Sequence, residues 1–188
     1  MTPKGTLRDR VRRARRALGG EERAAAEARM SAHLRALADE LGARVVAVYA
    51  AAGSEADPAP FAAAWRAAGG VTVYPRVVPP DALELVVVSS EEDLTPGYRG
   101  ILEPVPAAPC VAVAELDLIV VPGVAFTADG HRLGQGGGFY DRLLADPERR
   151  APAVGLAFGA QVVARVPLDP HDVVLDAIVT EAGVLRAG

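Results

Sequence analysis

Short apolar runs alternate with helical apolar stripes along this chain. Residues 44–50, 71–74, 83–88, 118–121, 153–158 and 173–179 each form a run that predicts a buried strand. Residues 7–18, 21–41, 60–68 and 139–144 carry apolar side chains at helical spacing. Strands that alternate with helices predict an α/β fold with three layers, a mainly parallel sheet covered by helices on both faces. We expect a single domain over residues 1–188.

The composition is typical of a globular protein and excludes several classes. The 188 residues are 51% hydrophobic and 23% charged, which is enough to bury a core. No apolar run is long enough to cross a membrane, and we expect no secretory signal because the basic N-terminus lacks an apolar core. The single cysteine, Cys110, excludes an internal disulfide and favours a cytoplasmic location. A net charge of −4 argues against nucleic acid as a partner.

A glycine-rich segment follows the strand at residues 118–121. Residues 132–138 read RLGQGGG, with four glycines in five positions directly before a helix. Such glycines are costly unless the backbone must approach something closely, and free N–H groups before a helix suit phosphate oxygens. Arg132 adds a cation and Asp141 a carboxylate that can bind magnesium. A tight strand-to-helix turn without a ligand explains the spacing equally well, because the segment is neither GxxxxGK[ST] nor GxGxxG.

Polar residues elsewhere are candidates for ligand contacts. Lys4 and Arg8 lie one helical turn apart and can point the same way, although most arginines of this segment are expected to be solvated. Glu55 follows the first strand, where parallel sheets bind ligands, and its carboxylate can accept paired hydrogen bonds. Asp57 is the better candidate for a contact with the next helix N-terminus.

Three segments carry a family resemblance. Residues 122–144, PGVAFTADGHRLGQGGGFYDRLL, resemble the signature of the 5-formyltetrahydrofolate cyclo-ligase family, in which P-G-x-x-F leads to R-x-G-x-G-x-G-[YF]-Y-D. Residues 4–8, KGTLR, fit the family pattern K-x-x-[LI]-R, and residues 100–104, GILEP, fit G-[IL]-x-E-P. The resemblance implies a Rossmann-like fold of the ribose-phosphate isomerase and CoA-transferase type.

The same resemblance implies roles for individual residues. It implies ATP contacts from Lys4, Arg8, Arg132, Leu133, Gly134, Gln135, Gly136, Gly137, Gly138, Phe139 and Tyr140. It implies folate contacts from Ala50, Glu55, Arg76, Glu103, Gln135, Gly136, Gly137, Gly138 and Phe139, with Tyr49 in the pocket wall. It implies that Asp141 and Asp172 position magnesium, directly or through water, and that catalysis depends on Arg132, Asp141 and Lys4.

The implied reaction is the ATP-dependent cyclisation of 5-formyltetrahydrofolate to 5,10-methenyltetrahydrofolate, with release of ADP and phosphate. The formyl oxygen attacks the γ-phosphorus, which gives an iminium phosphate on N5; N10 then adds and phosphate leaves. ATP and Mg²⁺ are the expected cofactors, no covalent enzyme intermediate is needed, and a monomer is expected.

The sequence departs from the family pattern at three positions. Phe139 stands where many members have tyrosine, so a hydroxyl contact is lost there. Gln135 and Gly137 occupy places where some members carry Arg or Lys, which predicts a weaker hold on ATP or on the glutamate tail of folate.

Two other functions stay open at this stage. A different phosphate-binding enzyme of the same fold type, such as a sugar-phosphate isomerase, would not need ATP. A non-catalytic protein that sequesters 5-formyltetrahydrofolate would keep Glu55 but would need neither Asp141 nor Asp172. A nucleotide-binding dehydrogenase is disfavoured, because the glycine segment lies late and no acidic residue ends a following strand at the usual spacing.

Overall fold

The computed structural model of the chain describes residues 3–79 and 82–188. The α-helices are α1 (Pro3–Arg16), α2 (Gly20–Glu40), α3 (Ala59–Ala67) and α4 (Phe139–Leu144). The first six strands are β1 (Val45–Ala47), β2 (Val71–Val78), β3 (Ala82–Val88), β4 (Leu94–Pro96), β5 (Leu102–Pro104) and β6 (Cys110–Val111). The others are β7 (Leu118–Val121), β8 (Ala125–Phe126), β9 (Arg132–Leu133), β10 (Ala153–Leu156), β11 (Ala177–Thr180) and β12 (Gly183–Arg186).

Eight of these strands form one twisted sheet in the order β12-β11-β10-β7-β1-β2-β3-β6. The strands from β11 to β2 in this order run parallel to one another. β12, β3 and β6 pair antiparallel at the two sides. All four residues of β7 are buried, as expected of a strand covered on both faces. The predicted mainly parallel sheet is confirmed.

Helices cover both faces of the sheet, also as predicted. On one face, α2 packs through Met30 and Leu34 and α3 through Phe61 and Trp65. On the other face α4 contributes Leu144, and much of the remaining cover comes from irregular segments. α1 packs instead against the hairpin of β8 and β9, with Val11 at the centre of that small core. None of the helices in the described part of the chain is long and apolar enough to cross a membrane.

Two local predictions at helix ends are also confirmed. Gly42 follows α2 with φ +63°, a left-handed conformation that glycine adopts without a steric penalty. The Asp57 carboxylate accepts a hydrogen bond from the Ala59 amide at 2.9 Å, at the start of α3.

The structure corrects the strand boundaries around β2 and near the C-terminal end of the sheet. β2 continues to Val78 instead of ending at Tyr74, and β3 pairs with it antiparallel. The continuous pairing from Thr72 to Val78 explains the extension. The predicted strand at residues 173–179 begins only at Ala177, and β12 was not predicted.

Candidate active site

The glycine loop, residues 134–138, connects β9 to α4. Gly136 and Gly138 have φ of +104° and +68°, so two of its positions require the conformational freedom of glycine. The carbonyl of Gly134 accepts a hydrogen bond from Arg8 Nε at 2.9 Å, which ties α1 to the loop. α4 has only six residues, so its dipole is short and anion binding depends mainly on loop N–H groups and nearby cations.

Arg132 and Asp141 form a partly buried ion pair beside the loop. The Arg132 side chain is 6% exposed and that of Asp141 is 31% exposed. Arg132 Nη1 also donates to the Pro122 carbonyl at 3.3 Å, and its guanidinium carbon lies 5.9 Å from the centre of the Tyr140 ring. Arg132 Nε is buried and has no hydrogen-bond partner among the described residues. The site therefore keeps one strong donor unused.

Glu55 lies next to the glycine loop and is only 7% exposed. Its Oε1 accepts from Gln135 Nε2 and its Oε2 from the Ala52 amide, both at 3.0 Å. Arg23 of α2 donates to the carbonyls of Ser54 and Glu55, the latter at 2.5 Å. These contacts fix the carboxylate in a polar turn, with one oxygen held by the glycine loop.

Two tyrosines beside Glu55 are held in the protonated form. Burial raises the pKa of Tyr49 well above its usual range, and the nearby charge of Glu55 raises it further. Its hydroxyl donates to the Ala56 carbonyl at 2.6 Å. Burial and Glu55 likewise raise the pKa of Tyr140, while Arg132 opposes the shift. Neither phenol can act as a base at neutral pH.

One cleft of about 510 Å³ joins these groups, a size that suits a small-molecule ligand. At one end lie the glycine loop, Arg132 and Asp141. Exposed apolar side chains line it elsewhere, among them Tyr98 and Leu102. Glu55 and the loop thus face the same cavity.

The cleft brings together most of the residues expected from the sequence. Those that line it are Ala50, Glu55, Glu103, Arg132, Gly134, Gln135, Gly136, Gly137, Gly138, Phe139, Tyr140 and Asp141, with Tyr49 in the wall. Leu133 is buried beneath the loop, in the small core with Val11. Its side chain packs against Val11 of α1, and its expected contact with ATP stays a prediction.

Besides Leu133, four expected residues lie outside the cleft lining. Arg8 reaches the loop only through the Gly134 carbonyl. Lys4 pairs with Asp169, whose amide donates to Asp172 Oδ2 at 2.6 Å, so Lys4 and Asp172 belong to one polar cluster.

The fourth residue, Arg76, corrects an expectation. It was expected to face the substrate from the end of a strand, but it lies inside β2, where side chains alternate between faces. Its neighbours Pro75 and Val77 line the cleft. Arg76 itself pairs with Glu84 at 2.6 Å and donates to the Val105 carbonyl.

The described side chains do not form a cluster that would hold magnesium by themselves. The described residues contain no group of three or more His, Cys, Asp or Glu side chains placed to hold a metal ion. Asp141 is engaged by Arg132, and Asp172 lies outside the cleft lining. Magnesium is usually held by one or two carboxylates together with substrate phosphates, so Asp141 and Asp172 stay the expected contacts for magnesium that arrives with ATP.

Sequence reasoning missed several cleft residues. Arg12 and Arg99 line it, and so do Tyr98, Ile101 and Leu102. Arg12 continues the spacing of four that relates Lys4 to Arg8, so the helical pattern contained a signal for it. The others lie in an irregular segment with no such period.

Comparisons with known proteins point to one family. The model of the 5-formyltetrahydrofolate cyclo-ligase family matches residues 1–181. A protein of Escherichia coli (strain K12) called 5-formyltetrahydrofolate cyclo-ligase is 32% identical over 180 residues, which cover 93% of this chain and 98% of that protein. A mitochondrial protein of the same name from Arabidopsis thaliana is 34% identical over 121 residues, which cover 55% of this chain and 44% of that protein.

Solved structures with related folds have similar names. The NMR structure of Aquifex aeolicus 5,10-methenyltetrahydrofolate synthetase superimposes with a TM-score of 0.85 and 34% identity, covering 99% of this chain and 93% of that one. A 5,10-methenyltetrahydrofolate synthetase from Mycoplasma pneumoniae superimposes with a TM-score of 0.78, covering 96% of this chain and 99% of that one. At 24% identity, this similarity concerns the fold alone. With the family match across nearly the whole chain, these findings show that the chain belongs to the 5-formyltetrahydrofolate cyclo-ligase family.

Proposed function

We propose that this chain is a 5-formyltetrahydrofolate cyclo-ligase that uses MgATP to form 5,10-methenyltetrahydrofolate, ADP and phosphate. The observation that carries the proposal is the shared cleft: a glycine loop suited to phosphate and a buried carboxylate suited to a pterin line one cavity. Gln135 joins them directly, because it belongs to the loop and donates to Glu55 at 3.0 Å. We propose further that the protein acts as a cytoplasmic monomer.

Glu55 is the proposed pterin contact. A pterin carries adjacent amino and ring N–H groups, and a carboxylate accepts such a pair. Each Glu55 oxygen already accepts one hydrogen bond and has a second lone pair for the pterin, so Gln135 can keep its contact while folate binds. The apolar side chains Tyr98 and Leu102 offer contact surface for the aromatic part of the substrate.

The glycine loop and Arg132 are proposed to hold the triphosphate. Backbone N–H groups of residues 134–138 can approach phosphate oxygens without side chains between them. Arg132 Nε is the unused donor at this end, and the ion pair with Asp141 fixes its position. Lys4 and Asp172 lie close together outside the cleft lining, where they can contact the part of MgATP that extends beyond it.

The chemistry consists mainly of positioning and charge stabilisation. The formyl oxygen on N5 attacks the γ-phosphorus and ADP leaves, which gives a phosphorylated iminium. N10 then adds to the formyl carbon and loses its proton, and expulsion of phosphate leaves the methenyl bridge. No enzyme nucleophile takes part, in keeping with protonated tyrosines and a free Cys110 that does not line the cleft.

Near-ultraviolet absorbance tests the proposal, because the methenyl product absorbs there and 5-formyltetrahydrofolate does not. Purified protein mixed with 5-formyltetrahydrofolate and MgATP should give rising absorbance, and no rise without ATP. Glu55→Gln should slow the rise by roughly tenfold or more, because an amide cannot accept both pterin N–H groups. Glu92→Gln, the same change at an exposed position, should behave as wild type.

Three results would contradict the proposal in different ways. A rise that does not need ATP removes the phosphorylation step. Folate binding by calorimetry without any rise favours a sequestering protein. Neither binding nor a rise leaves a phosphate-binding enzyme of another kind, and sugar phosphates would be assayed next.

A further inference from the structure

Three arginines line the cleft, and their charges are not balanced in the same way. Arg132 is paired with Asp141. In the described part of the chain, Arg12 and Arg99 contact no carboxylate. Arg99 is exposed beside Tyr98, its guanidinium carbon 5.0 Å from the ring centre, while Arg12 reaches the glycine loop. Among the arginines that line the cleft, Arg12 is therefore the one at the loop end that no carboxylate of the described residues balances.

Arg12 is held in place by an uncharged partner. One of its terminal nitrogens donates to the Gln135 side-chain carbonyl oxygen, and the amide nitrogen of Gln135 donates to Glu55. An amide orients the guanidinium without neutralising it. Other cations on this face of α1 do not line the cleft: Lys4 pairs with Asp169, Arg8 donates to a loop carbonyl and Arg15 donates to the Ser54 hydroxyl.

We infer that Arg12 is a phosphate-binding residue of the cleft, contributed by α1 and aimed by Gln135; this rests on the function proposed above. A triphosphate brings several negative charges to a loop whose own side chains are neutral. A guanidinium binds phosphate oxygens through paired, charge-assisted hydrogen bonds, and incomplete exposure to water strengthens them. Arg12 can offer its remaining donors to the nucleotide while Gln135 holds one.

Calorimetric binding of MgATP to Arg12→Gln tests this assignment. The affinity should fall by roughly tenfold to a hundredfold, the usual cost of one charge-assisted contact. Arg13→Gln is the matched control: it is the same change on the same helix, at an exposed position with no polar contact among the described residues. Its affinity should equal that of wild type.

A second variant separates direct binding from mere positioning of Gln135. Gln135→Leu removes the amide that orients Arg12 but leaves the cation, so it should lower MgATP affinity less than Arg12→Gln does. If Arg12 only positions Gln135, Arg12→Gln should instead raise KM for the folate and leave MgATP binding unchanged.

The outcomes are separable from those of the activity assay. Equal MgATP affinity for Arg12→Gln and Arg13→Gln overturns the inference even when wild type forms methenyl product. A wild type that makes no product but binds MgATP in an Arg12-dependent way keeps the inference and overturns the proposed function. A wild type that binds no MgATP overturns both. If Arg12→Gln fails to fold, Arg12→Leu and Gln135→Leu give the same comparison.

Discussion

The ion pair of Arg132 and Asp141 balances two charges within the site that we propose to bind a triphosphate. Its geometry keeps Arg132 in place before the ligand arrives, and the buried Nε has no hydrogen-bond partner among the described residues. Removing one partner of a fully buried ion pair costs about 3–5 kcal/mol in proteins, because the other charge is left uncompensated. Asp141 is partly exposed, so water offsets part of that cost.

Asp141→Asn should lower the free energy of unfolding by about 1–2 kcal/mol, because asparagine keeps an acceptor but loses the charge. Urea unfolding followed by circular dichroism measures the change. Asp39→Asn removes the partner of Arg35 from an exposed helical pair and should cost less than about 0.5 kcal/mol. Equal losses in the two variants would mean that the cleft pair is no stronger than a surface pair.

At the scale of elements, α1 and the glycine loop form one unit. Val11 packs with Leu133 in the core beneath the loop, and Arg8 and Arg12 contact Gly134 and Gln135 above it. The loop conformation itself depends on glycine where φ is positive. A substitution that changes the backbone conformation of the loop should therefore also disturb its contacts with α1, and so weaken ligand binding.

Gly136→Ala should destabilise the protein by about 1–2 kcal/mol and weaken MgATP binding, because φ is +104° there. The space is open: the nearest atom to a new Cβ would be Arg8 Nη2 at 3.6 Å, so the cost arises from the backbone. Gly20→Ala, at the start of α2 with nothing within 4 Å, should leave stability equal or higher. Thermal unfolding measures the change in stability, and calorimetry measures the change in MgATP affinity. A Gly136→Ala protein as stable as Gly20→Ala would refute the argument.

At the scale of the whole molecule, three of the four tyrosines should make the free energy of unfolding depend on pH in the alkaline range. Burial raises the pKa of Tyr49, Tyr74 and Tyr140, with Glu55 reinforcing it at the first and last and Arg66 opposing it at Tyr74. Unfolded tyrosines lose their protons near pH 10, whereas these folded ones keep them. The unfolded state then binds fewer protons than the native state, so stability falls as pH rises above that value.

The free energy of unfolding should therefore decrease between about pH 9 and pH 11. Tyr49→Phe should reduce this slope, because one titrating group is gone. It should also cost about 1 kcal/mol at neutral pH, since the hydrogen bond to the Ala56 carbonyl is lost. Urea unfolding at each pH measures both effects. A slope unchanged by the substitution would show that Tyr49 ionises equally in both states.

The sequence predicted residues whose signal is local and missed those whose role depends on strand length. Asp57 and Gly42 were predicted because capping is decided within a few residues. Arg76 was misplaced because β2 runs four residues further than its apolar pattern indicated, which turns its side chain away from the cleft. Arg12 was overlooked among many arginines, although its spacing from Arg8 was visible.

The sequence by itself determined the α/β class, the helices and central strands, the glycine loop and the family, since period, backbone conformation and motif are local properties. Only the tertiary structure decided which side chains meet. Gln135 contacts Glu55 across 80 positions and Arg12 across 123. Apolar periodicity specifies which face of an element is buried but not its neighbours in the sheet. The cleft exists because the order of the strands and the packing of α1 bring these distant segments together.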